Sequence, residues 1–265
     1  MPAPPETVVS RLRAAGCVFA EDEARLLVSA ARTPAELSAM VERRAEGLPL
    51  EHVLGWAEFC GLRVAVDPGV FVPRRRTEFL VGQALARAPR RSVVLDLCCG
   101  SGALGLALAA ALHDTQPDGT ELHAADIEPA AVRCARRNLG AVGHVYEGDL
   151  FDPLPGTLKG RVDVLLANVP YVPTGEVPLL PAEARAHEPQ VALDGGADGL
   201  EVLRRVAGEA PQWLARGGHL LFETSERQVP LATGILADAG LDAEIARSDE
   251  LYATVVIGTL AVRTS

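Results

Sequence analysis

The stretch VVLDLCCGSGALGLALA, residues 93–109, reads as an apolar strand, a turn of small residues and an alanine-rich helix. Its turn, Gly100-Ser101-Gly102-Ala103-Leu104-Gly105, fits the spacing G-x-G-x-x-G. Small residues there let a ligand approach the backbone and let the helix pack close to the strand that feeds it. A strand followed at once by such a helix calls for an open sheet, because the helix must cross one face before a parallel neighbour begins. From residue 92 onward the pattern repeats. Strand candidates lie at 92–97, 121–126, 144–147, 161–167, 219–223, 243–247 and 252–259. Helix candidates lie at 102–113, 129–138, 199–215 and 227–238. No helix separates the last two strands, so they are expected to pair antiparallel at one edge. The expected fold class is α/β with a mostly parallel seven-stranded sheet.

Before residue 92 the chain reads differently. Residues 6–46 suggest two or three short helices, with Thr33 capping the last. CGLRVAVDPGVFVP alternates like a strand pair turning at Asp67-Pro68-Gly69. Residues 172–197 hold four prolines and no clean periodicity, and a loop of that length in a folded domain is expected to act as a lid.

Composition narrows the partners. A formal net charge of −10 makes the chain a poor default binder of phosphate backbones. The N-terminus lacks the layout of a secretory signal, and no apolar run approaches the roughly 20 residues that span a bilayer. Five scattered cysteines, Cys98 and Cys99 adjacent, form no disulfide framework and suit a reducing cytoplasm. The six histidines show no ligand spacing, so no metal is expected.

Both dinucleotide enzymes and methyltransferases use a glycine turn of this kind. Asp96 and Asp149 separate them, and Asp126 serves either class. Asp126 ends the next strand 21 residues beyond Gly105, where a carboxylate can accept both hydroxyls of a ribose; it can also cap the helix starting at Pro129. Asp96 precedes the glycines, where it would repel a pyrophosphate but can hold a methionine ammonium. Asp149, in YEGDLF, can accept an adenine amine. Together with Gly100, Ser101, Gly102, Ile127 and Leu150 they describe a pocket for S-adenosylmethionine.

The apolar run LLANVPYVP, 165–173, then breaks into an amide, a proline and an aromatic ring. Asn168 emerges beyond the carboxyl end of its strand, where open sheets bind ligands. Pro170 keeps Val169 out of the helical region. The Asn168 amide oxygen and the Val169 carbonyl can then act as paired acceptors for a planar NH2 group, with Tyr171 as a flat wall.

From about residue 47 the chain resembles the HemK/PrmC family of protein-glutamine methyltransferases, as a divergent member. The likeness lies in LPLEHVLGWAEFCGLRVAVDPGVFVPRRRTEFLV, LDLCCGSGALGLALA, ADIEPAAVRCARRNL, LANVPYVP, HEPQVALDGGADGLEVLRRV and LLFETSERQ, in that order. The resemblance implies a class I methyltransferase fold that uses S-adenosylmethionine. It also implies a glutamine substrate in the Gly-Gly-Gln loop of peptide chain release factors, bound by Asn168. Phe71 and Pro73 would lie near the methyl-transfer site and Thr77 close to the cofactor. The implied organisation is a helical substrate-docking domain at 1–50, a β-hairpin connector at 51–75 and the methyltransferase domain at 76–265. Several positions depart from the family pattern. Val169 replaces the first signature proline, and Arg75 and Arg76 stand where a proline and an acid are usual. The two arginines read as a solvated face. Cys98 and Cys99 read as packing residues. SDELYATVV lacks an arginine common near the family's end, and the helical region is short.

The leading expectation is a cytoplasmic, monomeric methyltransferase acting on a protein glutamine. The main alternative is methylation of a small-molecule amide or amine. Adenine methylation in DNA has neither basic charge nor a reading module behind it. A nicotinamide dehydrogenase would lack a hydride-transfer His or Tyr-Lys pair. A non-catalytic binding module is the remaining class.

Overall fold

The computed structural model describes residues 6–115 and 119–262. The outer ends of the expected first and last domains, 1–5 and 263–265, lie outside the described residues. Four helices come first: α1 (Glu6–Ala14), α2 (Ala20–Ala30), α3 (Pro34–Ala45) and α4 (Leu50–Leu54). Thr33 Oγ1 accepts the Glu36 N–H at 3.1 Å and Pro34 opens α3, two features that fix a helix start. Their apolar faces meet in a small core of their own that includes Leu12, Leu27, Met40, Val41 and Val53. Fully burying a side chain such as Leu12 or Leu27 contributes about 1.5–3 kcal/mol.

A two-stranded hairpin follows, β1 (Trp56–Phe59) and β2 (Leu62–Ala65), with Phe59 opposite Leu62. Its turn is Cys60-Gly61, not the expected Asp67-Pro68-Gly69. Cys60 and Gly61 have φ of 50° and 74°, the double left-handed pair whose twist matches a two-residue hairpin. Asp67-Pro68-Gly69 makes only a local bend, closed by the Val70 N–H on the Asp67 carbonyl at 3.1 Å. The chain beyond it cannot continue a ladder, because Val72 gives its N–H to Glu188 and Pro73 has none.

After α5 (Glu78–Leu85) come β3 (Val93–Leu97), α6 (Ala103–Thr115), β4 (Glu121–Asp126), α7 (Pro129–Leu139) and β5 (Gly143–Glu147). Next are β6 (Val162–Ala167), α8 (Ala182–His187), α9 (Glu201–Trp213), β7 (Leu214–Glu223), α10 (Val229–Asp238), β8 (Leu241–Ser248) and β9 (Ala253–Leu260). The sheet order is β5-β4-β3-β6-β7-β9-β8. The first five strands run parallel, and β9 lies antiparallel between β7 and β8. All five residues of β3 are buried, as a central parallel strand requires. Leu95, Leu97, Leu165 and Phe222 face the core shared with α9 and α10, whereas Val94, Val164, Leu166 and Leu221 face that of α5, α6 and α7.

The chain runs outward from β3 to β5 and returns to β6 on the other side of β3. A crevice opens where the direction reverses. Leu97 pairs in register with Ala125 on one side and Ala167 on the other. Cys98, Asp126 and Asn168 therefore leave three adjacent strands level with one another.

Gly105 shows why α6 can lie close to the sheet. A Cβ there would stand 3.0 Å from Leu122 Cδ1 and 3.1 Å from Asp96 Oδ2. Gly105→Val should cost about 1–3 kcal/mol by overpacking. Gly208, exposed within α9 with open space around it, should behave oppositely: Gly208→Ala should stabilise by about 0.5–1 kcal/mol. Urea denaturation of the two variants checks both signs.

Candidate active site

A cavity of about 630 Å³ occupies the crevice, a size that suits a small organic ligand. Its wall includes Cys98–Ser101 after β3, Ala125–Glu128 at the end of β4, Asp149 and Leu150, and Asn168–Val172 after β6. Phe71, Pro73 and Arg74 come from the connector, Arg76 from the turn just after it, and Leu180, Pro181, Pro189 and Leu193 from the 172–197 segment.

The glycine turn begins at Cys98 with φ of 53°, then takes positive φ at Gly100 and Gly102. Gly100 gives its N–H to Asp126 Oδ2 at 2.8 Å, and Glu128 gives its own to Asp126 Oδ1 at 2.9 Å. One carboxylate thus ties the turn to the start of α7 and still has a lone pair left on each oxygen. Burial raises the Asp126 carboxyl above its ordinary range, and the two N–H groups pull it down. Ser101 lines the cavity, with its Oγ buried and unpaired among the described residues. Gly102 stands behind the wall, where an added Cβ would meet Ala135 and Leu139 at 3.3 Å. Cys98 and Cys99 both line the cavity, and burial pushes both thiols up, away from nucleophilic use.

Asp96 is fully buried and also stands behind the turn, outside the cavity wall. Its Oδ2 accepts the Gly105 N–H at 2.9 Å, and its Oδ1 has no partner among the described residues. Burial lifts its carboxyl to about 7, the Gly105 N–H opposing. Asp149 lines the wall and accepts from Arg205 at 2.7 Å. Leu150 beside it is buried, and Ile127 is half-exposed on the same wall.

At the tip of β6, neither the Asn168 carboxamide nor the Val169 carbonyl takes part in a hydrogen bond among the described residues. The backbone after them is braced from outside. Val172 pairs with Asp194 in a short parallel bridge: Val172 gives its N–H to the Leu193 carbonyl at 3.1 Å, and Gly195 gives its own to the Val172 carbonyl at 2.8 Å. A Cβ on Gly195 would stand 2.6 Å from the Pro170 carbonyl, and one on Gly199 2.3 Å from that of Tyr171. The glycines of LDGGADG therefore exist to let this segment close on the tip.

The 172–197 segment folds into α8 and two short 3₁₀ turns, Thr174–Leu179 and Gln190–Ala192, of which α8 and the second turn wall the cavity. Arg74 grips Glu188 through both carboxylate oxygens at 2.6 Å, with its guanidinium 4.8 Å over the Phe71 ring. Arg44 of α3 bonds Glu23 and reaches Glu183 of α8 at 3.1 Å, so the helical region touches the wall. Arg76 departs from the expected solvated face: half-exposed, it bonds Glu223 and the Tyr171 hydroxyl, each at 2.7 Å. Arg75 is exposed and makes no ion pair among the described residues. Thr77 is buried off the wall, its hydroxyl on Glu223 at 2.8 Å.

Arg74, Glu188, Arg205 and Glu223 join the site from positions that no motif marks. Glu223 had a usable signal: an acid at the carboxyl end of an apolar strand, as at Asp126.

The release factor glutamine methyltransferase of Geobacter sulfurreducens is 41% identical over 213 residues, 78% of this chain and 72% of that protein. The chain belongs to the release factor glutamine methyltransferase family. The Mycolicibacterium smegmatis member is 40% identical over 222 residues, 80% of this chain and 76% of its own. Residues 61–183 match the methyltransferase small domain family. Among solved structures, a methyltransferase from Pyrococcus furiosus superposes with TM-score 0.53 at 15% identity, covering 76% of this chain and 90% of that one. A T. thermophilus 16S rRNA methyltransferase in complex with AdoMet and guanosine gives 0.55 at 20%, covering 77% and 49%. The family's class I α/β fold is thus the one seen here.

Asp96 gives a pH test. The folded chain keeps this proton up to about 7, whereas the unfolded chain loses it near 3.8. Its contribution to stability is full below that lower value, fades as pH rises and is gone above the upper one. Asp96→Asn should flatten this stretch of the stability–pH curve, read by urea midpoints from pH 4 to 8.

Proposed function

We propose that this protein transfers a methyl group from S-adenosylmethionine to the side-chain amide nitrogen of a glutamine, the one in the Gly-Gly-Gln loop of peptide chain release factors. The observation that carries this reading is the unused hydrogen-bonding capacity of Asn168 and Val169 on the wall of the cavity that the glycine turn also lines. The curated relatives bear the name of that activity.

The residues present fit the cofactor. Asp126 keeps free lone pairs for ribose hydroxyls, and Asp149 would accept from the adenine amine. Phe71, Pro73, Ile127 and Leu150 supply apolar wall. The unpaired Ser101 hydroxyl, with the Asp96 carboxyl behind the turn, would favour the ammonium end. Thr77 serves through Glu223. When bound, S-adenosylmethionine supplies a methyl group on a positively charged sulfur.

An amide nitrogen is a poor nucleophile, because its lone pair is shared with the carbonyl. Asn168 Oδ1 would accept one of its N–H bonds and the Val169 carbonyl the other, orienting the nitrogen and letting the lone pair localise as it attacks. Tyr171 walls the amide plane, and Pro170 limits the backbone between them. The methylated nitrogen then sheds its extra proton to water, so no buried base is needed. Residues 1–50 would dock the protein substrate and 51–75 connect them to a catalytic domain at 76–265. The work would be done in the cytoplasm, where translation terminates, by a single copy of the chain.

Asn168→Ala should lower turnover by about 10²-fold or more while leaving cofactor affinity nearly intact; single-turnover methyl transfer beside calorimetry checks the split. Asp126→Ala should weaken S-adenosylmethionine binding by about tenfold or more, the loss of a charged acceptor; unchanged affinity would assign the ribose to another residue. Labelled methyl should pass to a release factor and not to the same factor lacking the loop glutamine. Equal labelling of both would sink the substrate reading.

A further inference from the structure

Glu223 ends β7 with its side chain 3% exposed and does not line the cavity. Its Oε1 accepts from Arg76 Nε and from the Tyr171 hydroxyl, both at 2.7 Å. Its Oε2 accepts from the Thr77 hydroxyl at 2.8 Å. Arg76 Nη2 also donates to the Tyr171 hydroxyl at 2.7 Å, closing a ring of three side chains. The far end of Tyr171 is held as well, because its carbonyl accepts from Gln228 Nε2 at 2.9 Å. Tyr171 is therefore fixed at both ends, three residues beyond the unbonded Asn168.

A carboxylate withdrawn from water regains its lost hydration only when its oxygens are well bonded, and apolar residues fill such a space at lower cost. The cluster is a poor way to gain stability. It is a good way to fix direction. Three donors from two segments, the 75–77 turn and the β6 tip, meet one rigid planar group, and that group sits on the strand next to β6.

We infer that Glu223 is a positioning residue for methyl transfer. Acting through the Tyr171 hydroxyl and Arg76, it holds the Asn168–Tyr171 tip in one orientation toward the glycine turn, and itself touches neither substrate nor cofactor. The inference rests on the function proposed above. Misplacing a bound group by about 1 Å costs on the order of 10²-fold in rate, so the anchor acts on turnover rather than on cofactor binding.

The test uses the full chain and two variants, Glu223→Gln and Tyr171→Phe. Each should lower kcat for release-factor methylation by about 10- to 100-fold, with the KM for S-adenosylmethionine within about threefold of the original. The double variant should be no slower than the slower single one, because both changes break one unit. A readout without substrate accompanies this. Tyr171 is one of three tyrosines, and burial and the Glu223 charge hold its phenol well above the ordinary value. In an absorbance titration Tyr171→Phe identifies its step, and Glu223→Gln should move that step to lower pH. A folded Glu223→Gln protein with kcat within about twofold of the original, or with the tyrosine step unmoved, overturns the inference. If Glu223→Gln does not fold, Tyr171→Phe carries the test: a kcat loss at unchanged KM supports it and full turnover overturns it. If the unaltered protein methylates no release factor, the proposed function fails and the inference falls with it; if the unaltered protein is active and both variants match it, the inference alone fails.

Discussion

Leu97 and Ala167 face each other across adjacent parallel strands, and the ladder between them sets where the next residues leave the sheet. Cys98 opens the glycine turn; Asn168 carries the free carboxamide. Leu97 also pairs with Ala125, so the carboxylate of Asp126 arrives at the same level. A slip of one residue in either ladder would turn each side chain to the opposite face and separate the three. Side chains on both faces of β3 and β6 are packed against the covering helices, and that packing opposes the slip. Core packing and site geometry are here one constraint.

The outer wall depends on charge instead. Arg74 holds Glu188, whose side chain is 1% exposed, while burial pushes that carboxyl up and Arg74 pulls it down. Arg44, itself only 11% exposed, joins Glu23 of the helical region to Glu183 of α8. Exposed ion pairs stabilise by about 0–1 kcal/mol, but removing one partner of an enclosed pair strands the other without water. These two arginines therefore hold α8 against the connector and the helical bundle. A segment without periodicity gains a defined shape in this way.

The parallel sheet was legible because its signals are local. VVLDL, LHAAD and VDVLLA are apolar runs closed by turn chemistry, and these three strands lie within a residue or two of their expected places, whereas β7 starts at Leu214, five residues before its expected start and inside the expected helix 199–215. The carboxyl-end rule then located Asn168 and Asp126 without any coordinates. What stayed hidden was set by partners distant in sequence. Asp67-Pro68-Gly69 has stronger turn composition than Cys60-Gly61, yet Glu188 takes the N–H that a second strand would have needed. Arg76 looks solvated until Glu223, 147 residues away, is brought beside it. The Asp96 side chain was expected in the cavity, and the close approach permitted by Gly105 drew it to the helix.

The separation between Arg76 and Glu223 has a consequence for how the protein comes into being. Contacts spanning so much of the chain form late, after the loop-closure entropy of the intervening elements has been met. A nascent chain emerging from the ribosome possesses the glycine turn after about 110 residues, but Tyr171 has no anchor until β7 has been synthesised and added to the sheet. Maturation of the tip is thereby tied to completion of the polypeptide.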